Sequence, residues 1–169
     1  MELRLANMTD LPKVQEMYRA VVKNMIQNKI YVWDEVYPVE FLSDDIKKSN
    51  FYILEQGDVI ISAFALNTSR EGEFFVKFDS GPEKALYLDR FCVNTNFLRK
   101  GIAEFTINKA IELSRKLGAK YLRLFAADNN IPAINLYLKT GFKKAYGVYE
   151  EKIDDETILY EIGFEIKID

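Results

Sequence analysis

The chain has 169 residues, and 23 basic against 26 acidic side chains give it a formal net charge of −3. This length predicts a single domain over residues 1–169, and the small acidic excess argues against a nucleic-acid partner. The absence of histidine excludes Ser-His-Asp and Cys-His catalytic arrangements and histidine-ligated metal sites, while a single cysteine excludes an internal disulfide and a multi-cysteine zinc site.

Hydrophobic periodicity in the first half of the chain predicts short strands around two helices. In chain order, these elements are a strand at residues 3–5, a helix at 11–25, a short helix at 38–48 and strands at 51–54 and 59–66. Thr9 or Asp10 can cap the first helix, and Gly57 lies in the hairpin turn between the last two strands. Apolar side chains alternate over residues 74–78, which allows a further strand there.

The second half of the chain alternates strands with helices. In chain order, it predicts a strand at residues 85–93, a helix at 101–117, a strand at 121–126, a helix at 131–140 and an antiparallel pair at 143–151 and 157–167. The whole order indicates a mixed α/β domain built on one sheet. The exposed strands within residues 143–167 could pair between subunits, which allows a homodimer.

No targeting or membrane-spanning segment is evident in the sequence. The N-terminus lacks the apolar core of a signal peptide, and no stretch approaches the roughly 20 apolar residues that cross a bilayer. We therefore expect a cytoplasmic protein that has no membrane partner and no bound metal.

A loop between a strand and a helix has the features of an anion site. The strand ends at Val93, and the helix begins at Gly101, directly after Arg99 and Lys100. A helix N-terminus presents unpaired N–H groups and about half a positive charge, and the glycine leaves room for a phosphate to approach. The loop is neither a Walker A loop nor a dinucleotide fingerprint. The alternative is a basic, solvated helix start that binds nothing.

Two motifs in this half of the chain resemble those of GNAT-type N-acetyltransferases. Leu98-Arg-Lys-Gly-Ile-Ala resembles the acetyl-CoA loop of that family, Gln/Arg-x-x-Gly-x-Gly/Ala. Asn130-Ile-Pro-Ala-Ile-Asn-Leu-Tyr-Leu-Lys-Thr-Gly-Phe is similar to its Asn-x-x-Ala-x-x-Leu-Tyr-x-x-x-Gly-Phe helix. The resemblance is specific over Tyr87 to Phe142 and includes the central strand. Leu98 departs from the family, because a Gln or Arg side chain that would contact pyrophosphate is missing.

The resemblance implies a GNAT-like acyl-CoA N-acyltransferase fold, an α/β (α+β) class with a single mixed, mostly antiparallel sheet flanked by helices. It also implies acetyl transfer from acetyl-CoA directly to a primary amine of a small molecule or peptide. The residues that it assigns to acetyl-CoA binding are Phe91, Cys92, Val93, Leu98, Arg99, Lys100, Gly101, Ile102, Ala103 and Asn130.

The resemblance also assigns the two catalytic roles. Tyr137 lies where the family places its general acid, and a phenol with a pKa of about 10 can protonate the leaving thiolate. Its alternative role is to cover the core. Asp89, on the central strand, is a candidate base, acting directly or through water, and its alternative is an ion pair with Arg90 or a nearby lysine. We interpret Cys92 as a structural thiol, since the chain has no histidine that could activate it.

The acceptor site is predicted between the first two helices. Trp33, Asp34, Glu35 and Tyr37 lie there, and in similar folds this region borders the acceptor. Carboxylates at that position would attract a cationic amine. The alternative is an aromatic cluster that covers the core beside solvated acids. A second function also stays open, namely a CoA-binding sensor or regulatory module of the same fold with little catalysis.

Overall fold

A computed structural model describes every residue, Met1–Asp169. Its four helices are α1 (Leu11–Gln27), α2 (Leu42–Lys47), α3 (Ile102–Lys116) and α4 (Ile131–Lys139). Its strands are β1 (Glu2–Leu5), β2 (Phe51–Gln56), β3 (Val59–Asn67), β4 (Ala85–Val93), β5 (Tyr121–Ala127), β6 (Lys143–Lys144), β7 (Tyr149–Lys152) and β8 (Ile158–Lys167). Pairing of β4 with β5 is parallel and the other registered pairs are antiparallel, which confirms the predicted mixed, mostly antiparallel sheet.

The chain forms two compact units. The first contains Met1–Leu66 and Asp89–Lys109, and the second contains Asn67–Leu88 and Ala110–Asp169. Strand β4 and helix α3 therefore each supply residues to both units. None of the helices is both long and apolar enough to cross a membrane.

In the first unit, β1, β2 and β3 pair antiparallel in that order, and α1 packs its apolar stripe into the core. The stripe includes Val14, Met17, Tyr18 and Val21, whose spacing of three and four residues places them on one face of a helix. Burial of this stripe removes apolar side chains from water and supplies most of the helix's stability. The predicted helix at residues 11–25 is thereby confirmed.

The start of α1 differs from the predicted cap. Asp10 occupies the N-cap position, but its carboxylate makes no capping bond. Instead it accepts hydrogen bonds from both terminal nitrogens of Arg4 at 2.9 Å and from the N–H of Asn7 at 2.8 Å. Arg4 also donates to Glu55 on β2. The charged partner outcompetes the helix N–H groups, so Asp10 ties α1 to the edge strand instead.

The carboxyl of Asp10 makes the stability of the protein depend on pH. The hydrogen bond from Arg4 is the main cause that lowers the pKa of Asp10, so folding favours the charged form. This contribution is present above the unfolded pKa of about 3.9 and is lost as pH falls through the folded pKa. We expect Asp10→Asn to lower the free energy of unfolding by about 1 kcal/mol at pH 7. In urea denaturation, the difference from wild type should shrink below about pH 4, whereas Asp58→Asn in the exposed β2–β3 turn should cost little at either pH.

In the second unit, β5 pairs with the first half of β4 on one side and with β8 on the other. Strands β6 and β7 both pair antiparallel with β8, which confirms the predicted C-terminal antiparallel pairing. The predicted strand at residues 143–151 is, however, two short strands, because the chain between them turns away and bridges Lys77 through Tyr146.

The further strand allowed at residues 74–78 is absent. Residues Glu71–Phe74 form a 3-10 turn, and Phe74 is 81% exposed. The turn is fixed by Gly72, which packs so closely on the Phe125 ring that an added Cβ would lie 2.9 Å from it. Arg70, just before the turn, is ion-paired to Glu161 on β8 at 2.9 Å. These contacts hold the segment in a turn, so the apolar alternation does not build a strand.

A buried ionic network lies in the second unit around Arg123 of β5, whose side chain is 7% exposed. Its Nε donates to Glu165 at 3.1 Å, its Nη1 donates to the Tyr87 hydroxyl at 3.0 Å, and its Nη2 donates to the Ser80 hydroxyl and the Gly81 carbonyl at 2.7 Å. Glu165 also accepts a hydrogen bond from the Ser80 N–H at 3.0 Å. The network therefore joins β4, β5 and β8 to the segment that follows β3.

Candidate functional site

The loop before α3 is anchored to β3 in the first unit. The N–H of Asn94 donates to the carbonyl of Ile61 at 3.0 Å, and its side-chain amide donates to the carbonyl of Ile60 at 2.9 Å. Its side-chain oxygen accepts from the N–H of Asn96 at 3.0 Å and so caps a 3-10 turn at Thr95–Phe97. These three bonds fix the direction in which the chain leaves β4 and enters the loop.

The loop itself exposes its backbone. Leu98, Arg99, Lys100 and Gly101 are all exposed, and Arg99 and Gly101 take positive φ values of 59° and 75°. The first bond of α3 runs from the N–H of Phe105 to the carbonyl of Gly101 at 3.0 Å. The N–H groups of the helical residues before Phe105 therefore have no acceptor within the helix, as at any helix N-terminus. Left-handed residues just before a helix turn successive N–H groups toward one side, which is the geometry of an anion nest.

The loop residues fit a phosphate-bearing group. An added Cβ at Gly101 would have no atom within 4 Å, so the space beside the backbone is open. Lys100 donates to the carbonyl of Asn96 at 3.0 Å and lies 5.1 Å from the Phe97 ring centroid, which holds its charge at the loop. Leu98 is 42% exposed and offers no polar side-chain atom. The backbone and the two cations would therefore have to carry the contact.

Ile102 and Val93, two of the residues assigned to acetyl-CoA, are buried in an apolar cluster with Leu54 and Ile61. Phe91 and Ala103 pack against this cluster. Their side chains stabilise the junction of β3, β4 and α3. Any contact they make with a ligand's polar groups would thus come from the backbone.

Cys92 on β4 is buried, and its carbonyl accepts a hydrogen bond from the Ser62 hydroxyl at 2.7 Å. Burial away from water raises the pKa of the Cys92 thiol to about 12. A thiol with this pKa stays neutral near pH 7 and is a poor nucleophile. The geometry is that of a structural thiol, as the sequence indicates.

A cluster of side chains around Arg90, the residue after Asp89, is not among the sites predicted from the sequence. Arg90 has a positive φ of 50°, and its carbonyl accepts a hydrogen bond from the Tyr18 hydroxyl at 2.5 Å. Its guanidinium is ion-paired to Asp45 of α2 and lies 5.4 Å from the Tyr37 ring centroid and 5.9 Å from that of Phe41. No local pattern could have signalled these partners, because 45 positions separate Arg90 from Asp45.

Asp89, the candidate base, lies half-buried at the same point of β4. Its Oδ1 accepts a hydrogen bond from the N–H of Arg90 at 3.0 Å. The guanidinium of Arg90 is paired with Asp45, and burial raises the pKa of the Asp45 carboxyl above its usual value. The charge of Asp89 also acts on Arg90 and helps to raise its pKa. The base role of Asp89 stays a prediction.

In the second unit, α4 carries the second motif. Asn130 caps the helix, because its side-chain oxygen accepts from the N–H of Ala133 at 3.4 Å. Tyr137 is 7% exposed, and its ring centroid lies 5.9 Å from that of Phe142 and 5.8 Å from that of Phe164. Tyr137 therefore does cover the core, which leaves its hydroxyl as the only part that could serve catalysis.

The four residues predicted for the acceptor site separate into two pairs. Asp34 and Glu35 line an open cavity of about 640 Å³ beside α1. Trp33 stacks on Tyr18 with ring centroids 5.7 Å apart, and Tyr37 packs on Phe41 at 5.5 Å. Trp33 thus packs on the core of the first unit, Tyr37 belongs to the cluster around Arg90, and the two acidic residues line the cavity.

Comparisons with known proteins agree with the motifs. A profile of the acetyltransferase (GNAT) family matches residues 15–142. The chloroplastic GCN5-related N-acetyltransferase 6 of Arabidopsis thaliana is 33% identical over 81 residues, which cover 48% of this chain and 28% of that protein. The chain thus matches little more than a quarter of that relative's length.

Solved structures match over nearly the whole chain. A GNAT-family acetyltransferase from Listeria monocytogenes 4b F2365 has a TM-score of 0.72 and 17% identity, with 98% of this chain and 94% of that chain covered. YncA of Salmonella typhimurium, whose structure contains its cofactor acetyl-CoA, has a TM-score of 0.70 and 14% identity, with 100% and 94% covered. These likenesses confirm the expected fold, and the profile match covers most of the chain. The chain belongs to the acetyltransferase (GNAT) family.

Proposed function

We propose that this protein transfers an acetyl group from acetyl-CoA directly to a primary amine of a small molecule or peptide. The observation that carries the proposal is the exposed, left-handed loop at Arg99 and Gly101, which opens onto the start of α3. GNAT enzymes use acetyl-CoA, and this loop supplies the N–H groups and cations that a pyrophosphate requires. The second motif supports the proposal, since it places Tyr137 on α4 as the family pattern requires.

The chain's own groups can each contribute one step. When bound, acetyl-CoA supplies a thioester that a neutral amine can attack. Backbone N–H groups near Phe91 and Cys92 would donate to the acetyl carbonyl oxygen as it gains charge. The Tyr137 hydroxyl would donate its proton to the departing sulfur. Cys92, with a pKa of about 12, would not form an acyl-enzyme, so the amine attacks directly.

Without histidine, the proton leaving the amine must pass to Asp89, to water or to bulk solvent. We therefore expect the rate of free-thiol release from acetyl-CoA to rise steadily toward alkaline pH as the amine deprotonates. The pH–rate profile should show no inflection near pH ~6.5, where an unperturbed histidine titrates. A panel of primary amines in a thiol-release assay tests this. Release no faster than in an enzyme-free control with every amine would overturn the proposed function.

A second candidate function is a CoA-binding sensor with little catalysis. The observation that favours it is Leu98, which leaves the loop without the polar side chain usual at its first position. Such a protein would bind acetyl-CoA but release no thiol with any amine. The same assay, with acetyl-CoA binding measured by calorimetry, separates the two functions.

The assignment of the loop before α3 to acetyl-CoA binding predicts that one methyl group added at Gly101 weakens that binding. We expect Gly101→Ala to weaken acetyl-CoA binding about tenfold or more, because a Cβ at positive φ is strained and occupies the open space beside the backbone. Gly57→Ala is a matched control in the β2–β3 turn, since Gly57 also has a positive φ, 60°, and no atom within 4 Å of an added Cβ. The free energy of unfolding should fall by a similar amount in both variants. Equal acetyl-CoA affinity in both would contradict the assignment.

A further inference from the structure

An open cavity of about 640 Å³ lies within the first unit, beside α1. The helix forms one wall, and the segment that follows the helix forms the other. The residues that line it are Arg19, Val22, Lys23, Ile26, Gln27, Asp34 and Glu35. None of these residues belongs to the loop before α3 or to the α4 motif.

The helix wall is one continuous face of α1. Its five residues recur at spacings of three and four, so they extend over two turns, or about 12 Å of helix. Val22 is buried and Ile26 is 43% exposed, and together they form an apolar floor. Arg19 and Lys23, one turn apart, bring two exposed cations to its edge. Of this face, only Val22 is among the buried residues of α1, so packing of the core does not account for the other four.

The opposite wall runs back along the helix. At the end of α1, the N–H of Ile30 donates to the carbonyl of Met25 at 2.9 Å, and further back the side chain of Gln15 donates to the carbonyl of Val39 at 3.4 Å. Asp34 and Glu35 lie between these two anchors and therefore face the middle of α1.

The turn that carries these carboxylates is fixed. Asp34 Oδ1 accepts hydrogen bonds from the N–H groups of Val36 and Tyr37 at 2.8 and 2.7 Å. Asp34 and Glu35 are both exposed, and both line the cavity.

The two walls carry opposite charges that do not neutralise each other. Neither Arg19 nor Lys23 forms an ion pair with Asp34 or Glu35, although all four side chains line one cavity. Separated cations and carboxylates around an apolar floor are complementary to a molecule that has an ammonium at one end, an anionic group at the other and an apolar middle.

We infer that this cavity binds a short peptide with free termini, its ammonium at Asp34 and Glu35 and its carboxylate at Arg19 and Lys23. A volume of about 640 Å³ accommodates a peptide of roughly two to four residues. That this peptide is also the acetyl acceptor rests on the proposed function. The inference narrows the acceptor from any amine to one that carries an anionic group as well.

The test uses the whole chain and the tripeptide alanyl-leucyl-alanine, with binding followed by calorimetry or by NMR titration without acetyl-CoA. Its N-acetylated and C-amidated forms each lack one charge, and each should bind at least about fivefold more weakly. Lys23→Gln should weaken binding of the free tripeptide. It should not weaken binding of the C-amidated form, which already lacks the carboxylate that Lys23 would contact. Glu35→Gln should weaken binding of the free tripeptide. It should not weaken binding of the N-acetylated form, which already lacks the ammonium that Glu35 would contact. Lys116→Gln and Glu16→Gln, at exposed positions outside the cavity, are the matched controls and should change nothing.

Equal binding of all three peptides, or no binding up to about 10 mM, would overturn the inference. Equal losses in the cavity variants and the control variants would overturn it as well. Its failure is distinct from failure of the proposed function. Charge-dependent binding of the tripeptide without thiol release from any amine would support the cavity site and contradict acetyl transfer. Thiol release without tripeptide binding would support acetyl transfer and contradict the cavity site.

Discussion

Replacing Tyr137 with phenylalanine should lower kcat by about 10²–10³-fold and leave the Kd of acetyl-CoA unchanged. The substitution removes only the hydroxyl, while the ring keeps its packing on Phe142 and Phe164 at 5.9 and 5.8 Å. A proton donor to the leaving sulfur acts in the transition state, so its loss appears in turnover rather than in ground-state binding. Steady-state thiol release gives kcat, and calorimetry gives the Kd.

Tyr149→Phe is the matched control for this experiment. Tyr149 and Tyr137 lie in the same unit and are both 7% exposed, and Tyr149 stacks on Phe75 with ring centroids 5.0 Å apart. Removal of its hydroxyl should leave kcat close to that of wild type. If Tyr137→Phe and Tyr149→Phe turn over equally fast, Tyr137 only covers the core and another group delivers the proton.

The elements around the candidate site are the ones that could be predicted from sequence. The predicted helix at residues 101–117 is α3, Ile102–Lys116, and the predicted helix at 131–140 is α4, Ile131–Lys139. Both have an apolar stripe at helical spacing, and α4 has Asn130 as a capping residue. The signals lie within a few positions of each other, so local physics suffices to place these helices.

Contacts between distant positions could not be predicted in this way. Alternation at residues 74–78 is a local signal for a strand, but Gly72 packed on Phe125 and the ion pair of Arg70 with Glu161 override it. Phe125 lies on β5 and Glu161 lies on β8, both far along the chain, and no local pattern shows which carboxylate an arginine will meet.

The same limit applies within the candidate site. Asp34 and Glu35 could be singled out by their charge, but the cations of Arg19 and Lys23 join them only because the chain turns back after α1. The predicted acceptor residues lie in one contiguous segment of the sequence. In the structure, two of these residues share a cavity with a face of α1, and the charged side chains of that face have no distinguishing pattern in the sequence.

The largest expected effect on stability is at the buried network of the second unit. Arg123→Met should lower the free energy of unfolding by about 3–5 kcal/mol, because it leaves the carboxylate of Glu165 buried and without its charged partner. The side chains of Arg123 and Glu165 are 7% and 9% exposed, so water cannot readily replace the lost contacts. Urea denaturation followed by circular dichroism measures the loss.

A second variant separates the ion pair from the packing of Arg123. The double change Arg123→Met with Glu165→Leu removes both charges, so it should recover much of the stability lost in the single variant. Lys120→Met is the surface control, since Lys120 and Glu83 form an ion pair at 3.0 Å with side chains 53% and 46% exposed, and its effect should be small. If Arg123→Met costs no more than Lys120→Met, water reaches the network. The ion pair would then not be what holds the segment around Ser80 to the sheet.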